Sequence, residues 1–76
     1  MNALTSRLIQ ASHRNDNILA IIKARLKHES KLSKIFILQS SLDELKSMNI
    51  FTDTFIMRFK IIRVIDKYLK GIINGH

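Results

Sequence analysis

Three histidines, six carboxylates and thirteen lysines and arginines are the side chains of this 76-residue chain that can ligate a metal, move a proton or hold an anion. His13, His28 and His76 include no pair four residues apart, and the one acid beside a histidine, Glu29 next to His28, points elsewhere on a helix. That spacing offers no metal site. Ser40 and Ser41 have no flanking glycine, so they do not form a nucleophile elbow. No glycine-rich loop is present to cradle a phosphate chain. The residues therefore predict a non-enzymatic protein, with no catalytic residue, no metal and no cofactor.

The cations offer a different chemistry. In FTDTFIMRFKIIRVIDKYLKGIINGH, Lys60, Arg63, Lys67 and Lys70 fall within a stripe about 80° wide if the segment is helical at about 100° per residue. The stripe contains no acid, whereas a solvated helix face usually alternates Glu with Lys. Arg7, Arg14, Lys23, Arg25, Lys27, Lys31 and Lys34 add charge in the first half. A surface of this kind suits phosphate, and a nucleic-acid backbone is the alternative partner it predicts. Sequence-specific reading has little support: the turn regions carry no glycine of the helix-turn-helix kind, and zinc fingers need cysteine.

Outside the stripe the same segment is almost wholly apolar. Phe55, Phe59, Ile62, Leu69 and Ile73 make one flank, and Met57, Ile61, Val64, Ile65, Tyr68 and Ile72 make another. The residues assign the first flank to the interior and the second to a partner; the alternative is that the helix lies centrally between the other two and is buried on both sides. The expected partner-binding residues are Met57, Ile61, Val64, Ile65 and Tyr68. Left in water, each large side chain would forgo about 1.5–3 kcal/mol, and a contiguous patch of this kind is rare on soluble monomers. The expected occupant is a second copy of the chain or another protein. A lipid surface, where a cationic helix with a wide apolar arc can lie, ranks behind them.

Size and composition point the same way. A domain of this length buries only about 60% of the surface its unfolded chain exposes, and commonly needs disulfides, metals or oligomerisation to be stable. There is no cysteine, which excludes disulfides and favours a reducing, cytoplasmic setting. Hydrophobic residues make up 46% of the chain beside a net charge of +7, and the isoelectric point is near 10.3. The opening MNALTSRLIQASHRND lacks the apolar core of a signal peptide, and no run reaches the 18 or so apolar residues of a membrane span.

The elements that must position these residues are helical. There is no proline, and both glycines, Gly71 and Gly75, stand near the C-terminus. Leu4, Leu8, Ala11, Ile18, Ile22 and Leu26 recur at helical spacing, with Leu19 beside the stripe. HRND at 13–16 is the weak point, where Asn15 and Asp16 are good N-caps, so the region either breaks near residue 14 or runs on to about His28. Ser30 predicts a helix opening at Lys31, with Leu32, Ile35, Phe36, Leu38, Leu42 and Leu45 on its inner face and Lys31, Lys34, Ser41, Glu44 and Ser47 away from it. Thr52 or Asp53 would cap the last helix, with Phe51 as its staple, and that helix would run from about Asp53 to Lys70, ending at Gly71. FIMRFKIIRVI has the composition of a strand, but a strand would mix Arg58 and Lys60 with Ile56 and Ile62 on one face. The predicted fold class is all-α. Its architecture is a small three-helix bundle, or a helical hairpin with a short N-terminal helix, in a single domain over 1–76.

RNDNILAIIKARLKHESKLSKI resembles the short all-helical chorismate mutases over about a third of the chain. That resemblance implies a dimer with basic groups at Arg25 and Lys34 in its site. The spacing from Asp16 to Arg25 is a residue off the family's, and the third helix has no late counterpart to its glutamine or glutamate, so no site is carried over. In length and in a hairpin with an exposed apolar face, the chain is also similar to the small helical co-chaperones that shield needle subunits in type III secretion. That likeness is one of architecture.

Overall fold

A computed structural model describes residues 2–48 and 57–75. Four helices make up the described structure: α1 (Ala3–His13), α2 (Ile18–Leu26), α3 (Lys31–Lys46) and α4 (Met57–Ile73). No strand occurs among the described residues, and both IFIL and the Arg58–Ile65 stretch are helical. The predicted caps at Thr52 and Asp53, the staple at Phe51, the flank residue Phe55 and His76 lie outside the described residues.

The N-terminal third is two helices, and the break at HRND works differently from the N-cap reading. Asn15 sits in the left-handed region at φ 61°. The Asp16 N–H donates to the Ala11 carbonyl at 2.8 Å and the Asn15 N–H to that of Ser12 at 3.2 Å. This pair of bonds is a Schellman motif with asparagine in the place usually taken by glycine. Asn tolerates the left-handed region better than other side chains, and that ends α1. The cap of α2 is Asn17, whose side chain accepts from the Ala20 N–H at 3.1 Å. Ser30 caps α3 as predicted, accepting from the Ser33 N–H at 3.2 Å. At the other end α4 continues through Gly71 to Ile73, and the left-handed residue after it is Gly75 at φ 77°.

Each helix gives three side chains to one core cluster: Leu4, Leu8 and Ile9; Ile18, Ile22 and Leu26; Leu38, Leu42 and Leu45; Ile61, Ile65 and Leu69. All are Leu or Ile at helical spacing, so each helix turns one stripe inward. The α3–α4 pair packs most extensively, and α1 touches all three other helices.

Two polar devices fix the helices relative to one another. Glu44 on α3 accepts from the Asn2 N–H on both carboxylate oxygens, at 2.9 and 3.1 Å. It thereby places a negative charge at the positive end of α1. The buried Thr5 hydroxyl lies 3.0 Å from Glu44 Oε1, 3.1 Å from Asn2 Oδ1 and 2.8 Å from Ser41 Oγ. A hydroxyl carries one proton, so Ser41 supplies the second donor of this cluster. Ser41 is fully buried and Glu44 half-buried, which corrects the reading that both lie away from the inner face of α3.

The second device is Arg58, in the first turn of α4. Its Nη1 donates to the carbonyls of Leu45, Lys46 and Met48 at 3.1, 3.2 and 3.3 Å. The Ser47 hydroxyl lies 3.0 and 3.1 Å from those of Asp43 and Glu44 and shares its one proton between them. The C-terminal carbonyls of α3, which have no partner within their helix, are met by these groups. The start of α4 is thus held at the end of α3.

Candidate functional site

The apolar arc of α4 is present, but its inward stripe takes residues from both predicted flanks. Ile61 and Ile65 are 0% exposed and Leu69 is 5% exposed. Val64 and Tyr68 are half-buried and packed against the core, and Met57 is half-buried. Ile61 and Ile65 are therefore core residues and are not available to a partner, which corrects their assignment. The reason is that α4 meets α1, α2 and α3 together, so its inward stripe centres on the run that three neighbours can cover.

Of the flank assigned to the interior, Leu69 is buried as expected, whereas Phe59 and Ile73 lie outside. Phe59 and Ile73 are 53% and 55% exposed, and Ile62 between them is half-buried. A comparable reversal occurs on α3, where Leu32 and Phe36, one turn apart, are 79% and 73% exposed. Their neighbours Leu38, Leu42 and Leu45 are buried. Because α4 begins where α3 ends, the two helices run antiparallel, and Ile73 lies at the same end of the hairpin as Leu32.

All four cations of the predicted stripe, Lys60, Arg63, Lys67 and Lys70, are exposed. The stripe is not free of acid: Lys70 Nζ lies 3.0 Å from Asp66 Oδ2, one turn earlier. A surface pair of this kind stabilises little, but it lowers the local positive charge. The structure also joins the stripe to the first half of the chain. Lys67 lines one groove of about 430 Å³ with Lys23 of α2 and Lys34 of α3. Tyr68, Gly71, Leu19 and Ile72 complete it.

Arg7 and Arg14 line a separate cleft of about 700 Å³ between α1 and α2, with Ser6, Gln10 and Asp16. Arg25 pairs with Glu29 at 3.5 Å and faces a third hollow beside Phe36. Arg25 and Lys34, which the mutase resemblance would place in one site, thus line different surfaces.

Among the described residues no group of three His, Asp or Glu side chains is placed to hold a metal ion, and no helix is long and apolar enough to cross a membrane. No protein-family model matches the chain, and neither a curated protein nor a solved structure is significantly similar to it.

Sequence reasoning missed Lys23 and Lys34 as partners of Lys67, because they come from three helices whose relative rotation no single periodicity encodes. It also missed Arg58, Thr5 and Ser41, which bind the helices together. Only the order of the residues along α4 hinted at the outer flank, since Phe59, Ile62, Asp66 and Ile73 recur on one side of the helix.

Proposed function

We propose that this is a non-enzymatic helical protein that acts by protein–protein interaction, through the outer apolar flank of α4. The observation that supports it is the exposure of Phe59 and Ile73 on α4, at 53% and 55%. Leu32 and Phe36 are a second exposed apolar pair, on α3. Large exposed apolar side chains mark interaction surfaces when they form a patch, and aromatic residues are favoured anchors of such interfaces. A chain of 76 residues without cysteine also gains stability from association that it cannot take from disulfides. A second copy of the chain is the occupant to test first.

The test is solution mass by light scattering on the wild type and on a Phe59→Asp, Ile73→Asp variant, with helicity followed by circular dichroism. The wild type is expected as a dimer or larger species and the variant as an 8.8 kDa monomer of unchanged helicity. A variant still assembled at the wild-type mass would sink the reading, and a wild type that is monomeric at every concentration would remove self-association from it.

A second reading rests on the exposed cations Lys60, Arg63 and Lys67, none of which is in an ion pair among the described residues. They support a nucleic-acid-binding regulator that uses phosphate contacts. Affinity for duplex DNA would then fall steeply with salt, and each neutralised contact would lower the slope by about one. Binding that ignores salt counts against it.

A further inference from the structure

Three lysines from three helices line one groove. Lys23 comes from the outer side of α2, Lys34 from the first turn of α3 and Lys67 from α4, and no carboxylate is among the residues lining the groove. Elsewhere the chain neutralises cations at one-turn spacing, as in Arg25–Glu29 and Lys70–Asp66. Among the described residues these three lysines have no such partner. Like charges gathered without a counter-ion repel one another, and a bound multivalent anion removes that repulsion.

Gly71 adds a second, independent observation. It lies inside α4, two residues before its end, where glycine weakens a helix relative to alanine. No positive φ requires it, and a Cβ added there would meet nothing within 4 Å. Packing therefore does not demand glycine at this position. Because Gly71 lines the groove, the missing side chain leaves room for a ligand to approach the α4 backbone. Leu19, Ile72 and the half-buried ring of Tyr68 give the same groove apolar walls, and its volume of about 430 Å³ lies within the range of small-molecule sites.

We propose that this groove binds a ligand carrying two or more phosphate charges next to an apolar or aromatic portion, with Lys23, Lys34 and Lys67 holding the phosphates and Tyr68 and Ile72 the apolar part. The chemistry is shared by soluble organic polyphosphates, such as a nucleoside triphosphate, and by phosphorylated lipid headgroups. It does not rest on the α4 flank, because Phe59 and Ile73 do not line the groove.

The test is calorimetric titration of the full chain with inorganic pyrophosphate and with ATP, beside co-sedimentation with phosphatidylcholine vesicles with and without phosphatidic acid. Each is repeated on a Lys23→Gln, Lys34→Gln, Lys67→Gln variant and on an Arg14→Gln, Lys27→Gln, Lys46→Gln variant of the same net charge. Saturable binding of ATP, with pyrophosphate weaker, assigns a soluble ligand; binding confined to the phosphatidic acid vesicles assigns a headgroup. In either case the groove variant is expected to bind at least about tenfold more weakly and the charge-matched variant as the wild type does. Gly71→Leu, which fills the groove and favours the helix, is expected to abolish binding while raising thermal stability. Absence of binding to all probes overturns the proposal. So does binding that both charge variants weaken equally, or that Gly71→Leu leaves intact.

Discussion

Arg58 Nη1 lies 3.1 Å from the carbonyl oxygen of Leu45, thirteen residues earlier in the chain. A cation from the first turn of α4 thereby meets the negative end of α3 and joins the two longest helices. Arg58→Leu removes the charge and takes the guanidinium donor from the carbonyls of Lys46 and Met48. A loss of about 1–3 kcal/mol is expected in urea unfolding. Arg58→Lys should recover part of it, since an ammonium keeps the charge but reaches fewer carbonyls.

The rotation of α4 makes a sharper prediction. Ile61→Ala and Ile65→Ala should each cost about 2–5 kcal/mol, because both residues are completely buried. Phe59→Ser, on the outer flank, loses the ring beneath the Arg58 guanidinium and should cost about 1 kcal/mol or less. Denaturant midpoints at low protein concentration, where association does not contribute, distinguish the two faces. Equal costs on both would contradict the rotation described.

The cluster at the start of α1 should behave as a unit. Glu44→Ala strips the Asn2 N–H of its acceptor and the Thr5 hydroxyl of one of its partners, with an expected cost of about 1–3 kcal/mol. Thr5→Ala should cost a similar amount. The double substitution should fall short of the sum by about 0.5 kcal/mol or more, because the two share partners. Strict additivity in a double-mutant cycle would mean that the Thr5 hydroxyl bonds elsewhere.

Asn15 gives the smallest and cleanest test. At φ 61°, Asn15→Gly should hold or raise stability by up to about 1 kcal/mol, and Asn15→Val should lower it by about 1–2 kcal/mol. If valine is tolerated without cost, the left-handed turn is not what ends α1.

Much of the fold follows from the sequence, and the reasons it does are local. Leu4, Leu8, Ile18, Ile22 and Leu26 recur at helical spacing, and each became core. Ser30 caps α3 through a bond to the N–H three residues later, which depends on little outside that turn. What failed required knowledge of how helices are rotated against each other. Ile61 and Phe59 stand two residues apart on a helix that is apolar over most of its circumference, so hydrophobicity alone cannot choose which of them faces inward. Leu32 and Phe36 are as apolar as Leu38 and share its helical spacing, yet the inner stripe of α3 carries Ser41 in their stead, its hydroxyl buried against Thr5. A serine that bonds across to another helix is not distinguishable in sequence from one facing water. The cationic stripe of α4 was legible by spacing. Its meeting with Lys23 and Lys34 was not, since those residues lie on other helices.

The chain contains a single tyrosine and no tryptophan, and that tyrosine, Tyr68, stands on the wall of the three-lysine groove. The core, made of Leu and Ile, is optically silent in the near ultraviolet. Tyrosine emission from the unmodified protein therefore comes from one known place. Quenching or enhancement of that emission would report events at the groove directly, with no label and no engineered chromophore.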